Sequence, residues 1–162
     1  MNKIENMTIN ERIELARQGK DEDLDILVND ESWIVRKVVA IQGRDKDLDK
    51  LVYDNDLGVR MIVAKHGRDK DLDILINNPH EWEREIVSSK GRDKDLDILV
   101  NDEDIFVLNS VLNHERPQDI KRLSERLKNN EIEVNLENEK YFKKLKDKIK
   151  ELTTNYENEY VK

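Results

Sequence analysis

Apolar residues along this chain come in short bursts at i, i+3, i+4, separated by polar stretches. Leu24, Leu27 and Val28 form one burst, and Leu48, Leu51, Val52, then Leu72, Leu75, Ile76, then Leu96, Leu99, Val100 repeat it. That spacing puts three side chains on one face of a short helix. A second set follows, Val35, Val38, Val39 and then Val59, Ile62, Val63, and predicts a second helix of about ten residues. Asp21, Asp45, Asp69 and Asp93 stand before the first helix of each pair, and Asp30, Asp54, Asn78 and Asp102 before the second. These side chains accept from orphan first-turn amides and suit the positive end of the helix dipole, so both columns are expected to be N-caps. Pro79 is expected at a first helical position. Lys65, His66, Lys90 and His114 lie near the negative end of the second helix, which a glycine closes as a left-handed cap.

The pattern has a fixed period. Gly19, Gly43, Gly67 and Gly91 lie 24 residues apart, as do Ala16, Ala40 and Ala64, and Arg12, Arg36, Arg60 and Arg84. Gly-Lys-Asp-Glu-Asp-Leu-Asp opens at 19, and Gly-Arg-Asp-Lys-Asp-Leu-Asp at 43, 67 and 91. A half-repeat or cap then covers 1–18, four repeats cover 19–114, and a degenerate fifth repeat with connector covers 115–136. A C-terminal helix is expected over 137–155 and a frayed tail over 156–162. Helices below about 12–15 residues are marginal alone in water, so each pair must lie on its neighbour, with the alanines at the closest approach. The fold expected is all-α: a right-handed α-solenoid of about four and a half repeats with a C-terminal capping helix.

The period, the Val-Arg-X-X-Val-Ala phrases ending at Ala40 and Ala64, and the Asp-Leu-X-X-Leu that follows resemble the leucine-rich repeat variant family, a compact relative of HEAT-like repeats. The resemblance spans residues 9–114. It implies a right-handed superhelix in which one helix of each pair can be 3₁₀, and it does not imply an enzyme. The founding type carries a cysteine-ligated iron–sulfur module; this chain has no Cys, so that chemistry does not carry over.

The fourth repeat departs from the others. Leu108 replaces the Arg of its column and Leu112 the Ala, beside Ile105, Phe106 and Val107. A helix apolar nearly all round is buried on more than one side. Its cover is expected from Ile120, Leu123 and Leu127 and from Phe142, Leu145, Ile149 and Leu152. The last four also have the spacing of a short coiled-coil seam, so a monomer or a weak homodimer through the C-terminal helix is expected.

Charge narrows the functional classes. The chain has 162 residues, 41% of them charged and 36% hydrophobic, and a net charge of −8. The negative excess lies within 19–114, whereas 140–150 holds six Lys against one Asp. The acidic balance speaks against nucleic acid as the main partner. Asp21, Asp23 and Asp25 begin like an EF-hand loop, but Ile26 stands where Gly is needed and Ser32 where Glu is needed. With three scattered His and no phosphate cradle or nucleophile set, no enzyme, cofactor or metal is expected. No run approaches a membrane span, and the start is unlike a signal peptide; a cytoplasmic protein is expected.

Positions that break the repeat point to binding, because solenoid surfaces vary on a constant frame. Trp33, Lys37 and Ile41 give way to Leu57, Met61 and Lys65, then to Glu81, Glu85 and Ser89. The third repeat adds Trp82, Glu83 in place of Val and Ser88 in place of Ala. Trp33, Lys37, Tyr53, Met61 and Trp82 are the contact candidates, since aromatic residues and Met anchor interfaces. Arg36, Arg60 and Arg84 form a ladder that either pairs with Asp inside the stack or offers a basic stripe. The expected function is a non-enzymatic scaffold that binds another protein through one face. An acidic mimic of a nucleic-acid backbone, of anti-defence type, is one alternative. Nucleic-acid binding through the Arg ladder and the Lys-rich last helix is another.

Overall fold

The computed structural model of the chain describes residues 3–160, with side chains for all of these except residues 3, 5 and 157–160. Every regular element among them is helical. A first compact unit, up to Leu75, holds a 3₁₀ turn (Lys3–Asn6), α1 (Ile9–Gln18), α2 (Asp21–Leu27), α3 (Trp33–Gln42), α4 (Asp45–Leu51), α5 (Leu57–His66) and α6 (Asp69–Leu75). A second, from Ile76, holds α7 (Glu81–Ser89), α8 (Asp93–Leu99), α9 (Ile105–Leu112), α10 (Pro117–Lys128) and α11 (Glu139–Tyr160).

In the first unit α3 packs against both α1 and α5, while the seven-residue helices α2 and α4 each touch the longer helices before and after them. Residues 24 apart occupy matching environments: Ala16, Ala40 and Ala64, Leu24, Leu48 and Leu72, and Val35 and Val59 are all buried. Full burial of each Leu or Val contributes about 1.5–3 kcal/mol, and this holds helices that would not persist alone. α2, α4, α6 and α8 are all α-helical, not 3₁₀ as the family resemblance allows.

The second unit supplies the cover that α9 requires. Leu108, Val111 and Leu112 are buried where α9 meets α7, α10 and α11. Ile120, Leu123, Leu145 and Ile149 are buried with them, Leu127, Phe142 and Leu152 are half-buried, and the rings of Phe106 and Tyr141 lie 4.5 Å apart. The coiled-coil spacing of α11 is thus used within the chain. α11 starts at Glu139 and runs to Tyr160, past the boundary expected at 155, and residues 161–162 of the expected tail lie outside the described residues.

The capping columns sit differently from expectation. α2, α4, α6 and α8 begin at Asp21, Asp45, Asp69 and Asp93, which are therefore inside the helix, and Lys20, Arg44 and Arg92 occupy N-caps without a side-chain cap bond. Those aspartates still favour the dipole. The N-cap positions of the second helices are held by Ser32, Asp56, His80 and Asp104, of which Asp56 and Asp104 accept from first-turn amides. Asp30, Asp54, Asn78 and Asp102 lie two residues earlier and accept from the cap residues' amides at 2.9, 2.9, 3.3 and 2.8 Å, the geometry of Asx turns. Pro79 precedes the cap, and Pro117 is the proline at a helix start.

The glycine stops are left-handed as expected, with φ of +74° at Gly43 and +71° at Gly91, and they have a second use. A Cβ at either would stand 2.8 Å from the Cε1 atom of His66 or His114. The imidazoles sit there because His66 Nε2 bonds the Ala40 carbonyl and His114 Nε2 the Ser88 carbonyl, each at 2.8 Å. These carbonyls belong to the last turn of the preceding long helix, so each ring satisfies a neighbour's helix end. Glu115, at φ +54°, takes the glycine's place in the degenerate repeat.

Candidate functional site

Two rows of arginine organise the repeats, and only one is conspicuous in the sequence. Arg36 grips Asp54 with Nε at 2.6 Å and Nη2 at 2.8 Å, and its Nη1 donates to the carbonyls of Asp30 and Glu31. Arg84 does the same with Asp102 and the carbonyls of Asn78 and Pro79. Arg60 Nη1 donates to the Asp54 carbonyl at 2.6 Å. Burial pushes the Asp54 carboxyl up, but the bonds from Arg36 and the Asp56 amide outweigh it and hold the group below the ordinary carboxylate value. Where Leu108 breaks the column, Arg126 from α10 donates instead to the carbonyls of Val100 and Asp102. Burial, together with Arg122, pushes its guanidinium below the ordinary value.

The second row follows the glycines. Arg44, Arg68, Arg92 and Arg116 each bind the Asp three residues on, Asp47, Asp71, Asp95 and Asp119, at 2.6–2.7 Å. These four carboxylates are buried. Arg44 also reaches back to Asp21 and Asp25, Arg68 to Asp45 and Asp49, and Arg116 to Asp93 and Asp97. Burial works against the Arg44 charge, and the bonds to Asp47, Asp21 and Asp25 overcome it, so its pKa stands above the ordinary value. The Asp-Lys-Asp-Leu-Asp phrase is therefore part of an ion-pair network that joins α4 to α2, α6 to α4 and α10 to α8. The signal is present as an Arg after Gly43, Gly67, Gly91 and Glu115 with an Asp at i+3.

The outward side of α1, α3 and α5 has a different character. Trp33, Lys37 and Ile41 follow one another at i+4 along α3, so they share a stripe. Trp33 is 45% exposed and Ile41 53%, and Lys37 Nζ lies 5.7 Å from the centre of the indole, within cation–π reach. Ile34 on the same helix and Ile9 on α1 are also exposed, with Ile13, Val38, Met61 and Ile62 half-buried. Gly58 on α5 passes beneath the indole: a Cβ there would lie 3.9 Å from Trp33 Cζ3. The exposed part of α3 is apolar at Trp33, Ile34 and Ile41 and basic where Lys37 stands.

Of the other candidates, Arg36 shares α3 with Trp33 but points to Asp54 and the loop carbonyls, with its donors committed inside the unit. Tyr53 is 69% exposed in the turn between α4 and α5. Trp82 and Arg84 belong to the second unit; Trp82 is 51% exposed near the start of α7. On that helix Glu83 and Ser88 are buried, Ser88 Oγ donates to the Glu85 carbonyl at 2.8 Å, and burial with the nearby Asp104 charge raises the Glu85 carboxyl. Among the described residues no three His, Cys, Asp or Glu side chains converge on a metal position, and no helix is long and apolar enough to cross a membrane. No protein-family model, curated protein or solved structure matches the chain.

Proposed function

We propose that the chain is a helical-repeat scaffold, an α-solenoid of the leucine-rich repeat variant kind, that acts without catalysis by binding another protein through the outward face of α1, α3 and α5. One observation carries this reading: Trp33, Ile34 and Ile41 of α3 and Ile9 of α1 are exposed, with Met61 of α5 half-buried. Large apolar side chains gathered on one exposed helix side are costly to keep in water and mark interaction sites. Trp33 is the anchor and Met61 its adaptable neighbour; Lys37, held over the indole, selects a partner with a carboxylate beside its apolar contact.

The pairing of the repeated aspartates favours this over an acidic mimic of nucleic acid. Asp47, Asp71, Asp95 and Asp119 are buried against arginines, and Asp21, Asp25, Asp45 and Asp49 are bridged, which cancels much of the field such a mimic needs. The test is capture of a partner from the native host by the parent protein and by a variant carrying Trp33→Ala, Ile41→Ala and Met61→Ala, with circular dichroism to confirm folding. Loss of the captured protein is the expected result. Capture that survives in a folded variant refutes the face, and capture abolished only by raised salt favours the mimic.

A further inference from the structure

The second unit carries a groove independent of the face just described. Between α10 and α11 a depression of about 470 Å³ is walled by Pro117, Ile120, Ser124, Thr153 and Tyr156. A neighbouring one of about 530 Å³ shares Ser124, Lys128 and Thr153 with it and adds Leu127 and Ile149. Three aliphatic hydroxyls of the lining are turned away: Ser124 Oγ donates to the Ile120 carbonyl at 2.7 Å, Thr153 Oγ1 to the Ile149 carbonyl at 2.8 Å and Thr154 Oγ1 to the Lys150 carbonyl at 2.9 Å. What remains facing the groove from them is methylene and methyl, so the floor favours aliphatic side chains over hydrogen-bonding ligands.

The rim is cationic. Lys121 and Lys128 on α10 and Lys146 and Lys150 on α11 line the two depressions, all four are exposed, and none pairs with a carboxylate among the described residues. Lysines elsewhere do pair, as Lys46 does with Asp25 and Lys70 with Asp49. Glu125 and Asp147 are the acidic residues of the lining. Lys146 Nζ lies 5.6 Å from the centre of the Phe142 ring; a lysine rim without salt bridges in a chain of net charge −8, around an apolar floor, is complementary to one kind of surface.

We propose that the α10–α11 groove docks an acidic amphipathic helix of another protein, its aliphatic side chains on the floor and its carboxylates against Lys121, Lys128, Lys146 and Lys150. A groove between two helices suits a third laid into it, read by anchors at i, i+3, i+4 and i+7. Nucleic acid fits less well: the lining holds no arginine and one aromatic ring, so it lacks a stacking platform. The chain's own acidic helices are poor occupants, because the aspartates of α2, α4 and α8 are already bridged to Arg44, Arg68 and Arg116.

The test uses the full chain and three fluorescent probes: a synthetic amphipathic peptide with Leu anchors flanked by Glu, the same peptide with Lys for Glu, and a single-stranded DNA oligonucleotide. Anisotropy gives affinity, and amide chemical shifts of the parent protein locate the contact. The Glu peptide should bind and shift Ser124, Leu127 and Thr153. Affinity should fall by about tenfold or more when Lys121, Lys128, Lys146 and Lys150 are all replaced by Glu. A Thr153→Phe variant, which fills the groove and keeps every charge, should lose it comparably, and the Lys peptide should not bind. Failure of the Glu peptide to bind the parent, equal binding to either folded variant, or shifts confined to the first unit would overturn the proposal. Tighter binding of the oligonucleotide would overturn it in favour of nucleic acid.

Discussion

Replacing Arg36 by Met separates a ladder that holds the fold from one that is available to a partner. Met keeps much of the aliphatic stem and removes the charge. It leaves the Asp54 carboxylate, whose side chain is 5% exposed, with the Asp56 amide at 2.9 Å as its remaining side-chain hydrogen bond, and it strips the Asp30 and Glu31 carbonyls of their guanidinium donor. Breaking a buried pair from one side costs about 3–5 kcal/mol. The Glu31 carbonyl bond is exposed and water replaces it, so a loss of about 3–4 kcal/mol is expected, a fall in Tm of about 10 °C for a chain of this size. Asp54→Asn keeps an acceptor for Arg36 and should cost about 1–2 kcal/mol, and the double variant should reveal a coupling of about 2–3 kcal/mol. Urea unfolding followed by circular dichroism and by tryptophan fluorescence measures all three.

Acid supplies an internal control. With Arg36 present the folded Asp54 carboxyl lies below its unfolded value, so between the two values the unfolded chain binds more protons. The pair's contribution is then complete above about pH 4 and lost as pH falls through the folded value. In Arg36→Met burial dominates and drives the carboxyl the other way, so the gap in stability between parent and variant should narrow towards about pH 3. A loss below about 1 kcal/mol, or a gap unchanged with pH, would refute the structural assignment and return Arg36 to the list of partner contacts.

Three further outcomes follow from the geometry. Gly43→Ala should cost about 2–3 kcal/mol, from left-handed strain of about 1–2 kcal/mol plus displacement of the His66 bond, and about 1 kcal/mol less in a His66→Ala background; thermal unfolding of the four proteins checks it. Nitrogen NMR of neutral His66 and His114 should report the Nε2–H tautomer, because Nε2 faces a carbonyl in both, and the Nδ1–H form would contradict the clamp. Leu145→Ala, at a fully buried position, should cost about 2–5 kcal/mol with a loss of helical signal from α11, and an unchanged spectrum and stability would mean that α11 does not cover α9.

Much of the local architecture is legible in the chain. The i, i+3, i+4 bursts mark the helices, Gly43 and its equivalents mark where the longer ones stop, and the apolar character of α9 announces a missing cover. The candidate face is legible only in part: Trp33, Lys37, Ile41 and Met61 stand out as departures from the repeat, but Tyr53 looks no different in sequence and sits in a turn of its own. The capping aspartates were misplaced by one or two residues because a side chain that accepts from a helix amide and one that accepts from a guanidinium are the same residue type.

Periodicity and stop signals are properties of contiguous residues, so the sequence by itself determined that the chain is helical, where the glycine-closed helices stop and which face of each is apolar. Which charge meets which across the repeats was decided by tertiary structure alone. Arg36 and Asp54 lie 18 positions apart and Arg44 and Asp21 23, and only the packing of one helical pair on the next brings those atoms within about 3 Å, the range at which a charged hydrogen bond forms. The same packing turns Arg36 inward and leaves Trp33 outside, although three residues separate them on one helix, because the stack has an inner and an outer side and an isolated helix has neither.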